Sequence, residues 1–197
     1  MQSSREFNAL QEEIRQCSRC GLAAGRQHVI VGEGNPFASI MLIGEAPGRE
    51  EDQIGRPFVG KSGQLLDNIL EACGFSRKEH VFISNIVKCR PPDNRVPTPR
   101  EAAVCMPWLK QQIECINPKI LILVGATALK YMAGPSYKIT QVHGQWLNIG
   151  GRLLMPVYHP AALLRNPELK KPSWEDFKKV VLKYRELVDP AHYCAYL

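Results

Sequence analysis

The sequence lacks any uninterrupted apolar stretch that could span a bilayer, which takes about 20 residues, so no membrane partner is expected. Its first residues, Met1-Gln2-Ser3-Ser4-Arg5-Glu6, lack the apolar core of a secretory signal. A cytoplasmic location is therefore expected. There is no internal repeat and no low-complexity tract, which sets aside repeat arrays. Acidic residues are in deficit: 25 Lys and Arg face 19 Asp and Glu, a net charge of +6. That excess favours a polyanionic partner, but modestly, because many enzymes are as basic. Seven cysteines are present. In a cytosolic chain they point to metal binding or reactive thiols more than to disulfides.

At 197 residues, 45% of them apolar, the chain suits one domain over 1–197 with a sizeable core. Its organising stretch is Ile40-Met41-Leu42-Ile43-Gly44-Glu45-Ala46-Pro47-Gly48, followed by Arg49-Glu50-Glu51-Asp52. The apolar run reads as a buried parallel strand, too short for a helix before the glycine. Gly44, Pro47 and Gly48 then turn the chain at the strand's C-terminal edge, where open α/β sheets place ligands. Glu45, Glu51 and Asp52 bring carboxylates to that edge. Phe58, between Pro57 and Gly60, either stacks on a flat ring or plugs the gap between loop and helix.

Other segments repeat the strand-to-turn pattern. Val29 to Pro36 reads as an edge strand, Val81 to Val87 and Ile120 to Gly125 as buried strands, and Arg152 to Tyr158 as a last strand. Ile139 to Ile149 reads as a hairpin. Ser3 or Ser4 can cap a first helix with Phe7, Leu10 and Ile14 on one face. Further helices are expected over about Ser62 to Cys73, from a Thr98/Glu101 capping box onward, and over Trp174 to Leu187. The tail from Asp189 carries no pattern. Asn85 interrupts an apolar run although Asn disfavours strands, which suggests a task. His159 stands at a strand's C-terminal edge before Pro160, a catalytic position. Leu163, Leu164 and Arg165 combine apolar bulk with a cation: core plus surface charge, or a wedge with a phosphate contact.

Cys17 and Cys20 form one CxxC pair, while Cys89 and Cys105 flank the rigid loop Arg90-Pro91-Pro92-Asp93-Asn94-Arg95-Val96-Pro97. Four thiolates suit tetrahedral zinc or an iron–sulfur cluster, and the spacing alone does not choose. Cys73, Cys115 and Cys194 read as structural.

Taken together, GEAPGREED, RPFVGKSGQLL, SNIVKCRPP, YHPAALLRNP and the four-cysteine set resemble the family 4 uracil-DNA glycosylases, the iron–sulfur branch of their superfamily. The resemblance runs from Cys17 to about Pro167. It implies a three-layer α/β/α sandwich on a short, mainly parallel sheet, and excision of uracil from single- or double-stranded DNA. It also implies a [4Fe–4S] cluster on Cys17, Cys20, Cys89 and Cys105. Phe58 would stack on uracil, Asn85 would bond its Watson–Crick edge, and His159 would stabilise charge on O2. Leu163, Leu164 and Arg165 would contact DNA. The best-studied branch of the superfamily places a water-positioning Asp and a thymine-excluding Tyr in its first motif. The matching positions here are Ala46 and Gly48, so Glu45 is the candidate for the water and Glu51 for the excluding bulk. The loop after Cys89 has no His, which favours turnover over covalent trapping. A monomer, nucleoid-associated when on DNA, is expected. Replication or repair partners are not legible.

Overall fold

Four apolar runs become the four central strands of one sheet. In the computed structural model, which describes the backbone of residues 2–197 and the side chains of residues 5–197, they are β2 (Ile40–Gly44), β3 (Val81–Asn85), β4 (Ile120–Val124) and β6 (Arg152–Val157). They lie parallel in the order β3-β2-β4-β6. Antiparallel edges are added by β1 (Glu33–Gly34) beside β3 and β5 (Leu147–Ile149) beside β6.

Strands covered on both faces can be apolar throughout, and their period of two then sorts residues into two cores. Ile40, Leu42, Ile83, Ile120 and Ile122 share one core with Leu66 and Leu70 of α3 (Lys61–Ala72) and with Phe177, Val180 and Val181 of α8 (Lys170–Leu187). Met41, Ile43, Phe82, Leu121 and Leu123 share the other with Phe7, Leu10 and Ile14 of α1 (Gln2–Arg15). Leu109 and Ile113 of α4 (Pro99–Ile116) and Leu129 of α5 (Ala126–Ala133) complete that side. Each such side chain contributes about 1.5–3 kcal/mol by burial. The architecture is a three-layer α/β/α sandwich on a mainly parallel sheet. Among the described residues, no helix is long and apolar enough to cross a membrane.

Thr98 and Glu101 form the expected capping box: Glu101 N–H donates to Thr98 Oγ1 at 3.2 Å and Thr98 N–H to Glu101 Oε2 at 2.8 Å. Four expectations need correction. Val29 to Pro36 pairs only at Glu33–Gly34; Gly32 and Gly34 hold φ of 124° and 127°, outside a regular strand, and Ile30 N–H is taken by Lys88 O at 2.7 Å. Ile139–Val142 winds into a short helix, α6, and the hairpin instead joins β5 to β6 through left-handed Gly150 and Gly151. β3 stops at Asn85, while the N–H groups of Ile86 and Val87 continue to Gly44 O and Glu45 O. α8 begins at Lys170, four residues before Trp174. The tail, patternless in sequence, tucks under the body: His192 stacks on Phe75 with ring centroids 4.6 Å apart, and Cys194 is buried. The Ser3/Ser4 cap lies outside the described side chains.

Candidate active site

Beyond the C-terminal ends of the parallel strands lies a cleft of about 680 Å³, within the usual range for a small-molecule site. Glu45 follows β2, Asn85 ends β3, Gly125 follows β4 and His159 stands two residues past β6, and all four line it. Gly44 and Asn85 are register partners on neighbouring strands. A methyl group at Gly44 would stand 2.4 Å from Asn85 Oδ1 and 2.7 Å from the Phe58 ring. Glycine there lets an amide and an aromatic ring meet over one strand end. Asn85 Oδ1 is buried and has no hydrogen-bond partner among the described residues. Buried acceptors are almost always satisfied, so an orphan aimed at a cleft points to an absent donor.

Phe58 lies in left-handed backbone, φ 52°, uncommon for a residue with a Cβ. The strain, of order 1–3 kcal/mol, persists because neighbours fix the loop. Arg77 donates to Pro57 O at 2.9 Å and to Phe58 O at 2.6 Å. Its Nε is held by Asp67 Oδ1 at 2.5 Å. Gly63 gives the Phe58 carbonyl room, since a Cβ there would lie 1.9 Å from it. Glu51 closes the other side: Oε1 accepts from Val59 N–H and Gly60 N–H at 2.9 and 3.1 Å, and Oε2 from Gly48 N–H at 3.1 Å. A Cβ on Gly48 would be 2.6 Å from that carboxylate, so glycine at 48 makes room for Glu51. Glu51 belongs to α2 (Arg49–Ile54), a helix the sequence reading leaves in the loop. Asp52, beside it, is buried and anchors the segment before β1 through Gln27 N–H and His28 N–H.

His159 caps α7 (Pro160–Arg165): its Nδ1 accepts from Ala161 N–H at 3.1 Å. That bond leaves the proton of the neutral ring on Nε2. Burial pushes its pKa down to about 4, Arg165 pushes the same way, and Glu51 opposes weakly. The ring is therefore a neutral donor at physiological pH. It stacks with Phe58, centroids 5.7 Å apart and planes 30° apart. Gly125, at φ 93°, allows the approach, because a Cβ there would sit 3.0 Å from His159 Cβ. Glu45 accepts a hydrogen bond from Thr127 Oγ1, which aims one carboxylate oxygen. Ala46 lines the cleft and brings no polar side chain.

On the far side of the turn after Asn85, Cys17, Cys20, Cys89 and Cys105 border one small, almost wholly apolar cavity with Ile14, Val29, Lys88, Val104 and Trp108. Three sulfurs accept N–H donors: Cys17 from Trp108 Nε1 at 3.3 Å, Cys89 from Arg26 at 3.2 Å and Cys105 from the Lys88 amide at 3.4 Å. Burial pushes the Cys89 thiol up to about 11 and raises Cys105. Among the described residues, no three His, Cys, Asp or Glu side chains stand as one metal ion would require. Cys73 and Cys194 are buried elsewhere, and Cys115 is half-buried on α4.

The cleft's rim corrects one expectation. Leu163 is 2% exposed and packs inward, so it cannot meet a partner, whereas Leu164 is 46% exposed. Arg165 lines the cleft, and opposite it the proline-rich loop presents Asn94, Arg95 and the 60%-exposed Val96. Sequence reasoning missed Arg77, Thr127, Arg26 and Lys88, whose partners are 19, 82, 63 and 3–4 residues away.

Residues 31–180 match the model of the uracil DNA glycosylase superfamily. The chain is 46% identical to a type-4 uracil-DNA glycosylase of Thermotoga maritima, over 85% of this chain and 89% of that one. It is 42% identical to a type-4 enzyme of Sulfurisphaera tokodaii, over 93% and 86%. With one of Saccharolobus solfataricus it shares 46% identity over 88% and 84%.

Proposed function

Since the chain belongs to the uracil-DNA glycosylase superfamily, we propose that it is a type-4 uracil-DNA glycosylase, working as one domain that removes uracil from DNA and leaves an abasic site. The observation that carries this reading is the orphan Asn85 Oδ1, buried beside Phe58 above Gly44. A flipped uracil needs a ring to stack on and an amide that accepts from N3–H while donating to O4; cytosine presents the opposite pattern. Phe58 and Asn85 supply both. The Nε2–H of neutral His159 donates to O2, where charge gathers as the C1′–N1 bond breaks and its electron pair stays on the base. Water adds its oxygen to C1′ and releases a proton. Glu45, aimed by Thr127, positions that water or offsets the sugar cation. The Glu51 carboxylate, held over Gly48 by three backbone N–H groups, supplies the bulk that excludes a 5-methyl group. Leu164 and Arg165 contact the DNA at the rim.

The four cysteines fit a [4Fe–4S] cluster: they converge on a small, almost wholly apolar cavity from two chain segments, and amide, indole and guanidinium donors already meet three sulfurs. Cys17, Cys20, Cys89 and Cys105 would hold the cluster. Its contribution when bound would be structural, tying Cys17 and Cys20 to the start of the proline-rich loop at Cys89 and to the helix that follows it at Cys105. The protein works as a cytoplasmic monomer on the nucleoid.

Incubating the protein with a uracil-containing strand, then treating with alkali, tests the activity. Cleavage at uracil but not at cytosine or thymine is expected. An intact uracil strand would overturn the reading. Visible absorbance and about four irons per chain are expected of the purified protein.

A further inference from the structure

Lys88 is fully buried, yet among the described residues no acidic side chain pairs with it. Its Nζ donates to Ser84 Oγ at 2.6 Å and to Asn85 O at 2.9 Å, both neutral acceptors. Ser84 in turn donates to Gln112, which donates to Val31 O. A buried ammonium is tolerated only beside negative charge. Lys88 also lines the cavity that Cys89 and Cys105 border. Its own amide N–H points at Cys105 Sγ. One residue thus touches the cysteine cavity through its backbone, and the end of β3 through its tip.

We propose that Lys88 is a positioning residue that couples the cysteine cavity to the base-reading Asn85: its ammonium is the buried counter-charge of the thiolate-bound cluster and clamps the Asn85 carbonyl. The inference rests on the cluster reading above. Four thiolates around a [4Fe–4S]²⁺ core leave a net negative charge that an almost wholly apolar cavity cannot screen. Lys88 offsets it from within hydrogen-bond reach of the strand end whose side chain must hold an unsatisfied acceptor in place. The four-residue turn Asn85-Ile86-Val87-Lys88 is closed by its own lysine, so Asn85 is set from behind, out of the substrate's way.

The test compares the holoprotein with Lys88→Met, which keeps the bulk and removes charge and donors, and with Lys88→Gln, which keeps a donor and removes charge. Two quantities are read: the cluster's reduction potential by spectroelectrochemical titration, and single-turnover excision of uracil against cytosine. Loss of a nearby cation should move the potential to more negative values in both variants. Excision should fall about 10- to 100-fold in Lys88→Met, as expected for a lost charged hydrogen bond, with weaker discrimination against cytosine. Lys88→Gln should recover part of that loss while its potential stays shifted. A shift in potential alone, or a loss of excision alone, overturns the coupling, which requires both from one side chain. If both variants fail to fold, Lys88 serves folding only and the inference falls. Iron absent from the parent protein would sink the cluster reading itself. Iron present, with potential and excision unchanged in Lys88→Met, would sink this inference and leave that reading standing.

Discussion

The cleft and the cysteine cavity lie on opposite sides of the same four-residue turn, and they are built on opposite terms. The cleft is wide, mixed in polarity and carries a buried acceptor with no donor among the described residues. The cavity is small and apolar, and three of its four sulfurs are already met by N–H donors. An exchanging ligand explains the first pattern: polar groups kept ready at the cost of stability. A permanent occupant explains the second, with surroundings complete except at the centre. At the cleft, Gly44, Gly48 and Gly63 stand where Asn85, Glu51 and Phe58 approach too closely for a Cβ.

The strongest way to break this comparison is at the cavity. Cys89→Ala or Cys105→Ala should lose most of the iron and, with it, several kcal/mol of stability, on the order of 10 °C in Tm for a chain of this size. Cys73→Ala, Cys115→Ala and Cys194→Ala should retain full iron. Full iron in Cys89→Ala would remove that residue from the ligand set. Iron lost in one of the other three would show that the cavity is not the site.

How much of this contrast was legible in the sequence follows from distance along the chain. β2, β3, β4 and β6 were legible because strands buried on both faces are written as continuous apolar runs. Glu45, Asn85 and His159 were legible because a polar residue at the end of such a run is locally conspicuous. The cysteine set was legible only through resemblance, since spacing alone did not separate zinc from iron. The supports were not legible. Glu51 and Asp52 were legible only as carboxylates at the strand edge, not as supports, yet one clasps three backbone amides and the other is buried. Arg77 reaches Phe58 across 19 residues and Thr127 reaches Glu45 across 82. Such pairs exist only once the sheet is assembled. Residues 139–149 misled because Ile139, Val142, Leu147 and Ile149 fit a hairpin in outline, while the turn lies one step later at Gly150-Gly151.

At the cleft, the largest single effect is expected from His159. Loss of one preorganised donor to a developing anion typically costs on the order of 10²–10³ in rate. His159→Ala should lose that much in single-turnover excision with DNA affinity nearly intact. An active His159→Ala would show that the assigned site is wrong. The same residue gives a pH signature. The folded ring resists protonation down to about 4, whereas the unfolded ring takes its proton near 6.5. The unfolded state thus binds more protons in that interval, so the native state loses stability as pH falls from 6.5 towards 4. His159→Gln removes this difference, and its stability should fall less over the same interval in urea unfolding.

A smaller effect is expected from the clamp behind Phe58. Arg77→Ala removes two donors to the strained loop and leaves Asp67 without its partner. Losses of this kind cost about 1–3 kcal/mol. The left-handed Phe58 should relax, so excision should fall roughly tenfold with KM raised. Arg77→Lys cannot serve both carbonyls and Asp67 and should recover little. Parent kinetics in Arg77→Ala would mean that Phe58 keeps its place by packing alone, and the cleft would be less strained than the comparison holds.

The smallest effect, and the finest test of the contrast, is at Arg165. Nothing in the cysteine cavity should respond to salt, since its lining is almost wholly apolar. The rim of the cleft should respond if it meets a phosphate backbone. Arg165 is exposed, lines the cleft and follows the exposed Leu164. A side chain that neutralises one phosphate releases about one counterion, so the slope of log K against log salt should fall by roughly 1 in Arg165→Ala. The affinity lost should be alike for uracil-containing and ordinary DNA, because a phosphate contact carries no base information. Arg165 also depresses the His159 pKa, so in the variant the folded ring should take its proton at slightly higher pH, and the acid loss of stability should end sooner and be slightly smaller. Iron content and visible absorbance should stay at the parent level. An unchanged salt slope would remove Arg165 from the DNA contacts and leave Leu164 and the loop around Val96 to hold the rim.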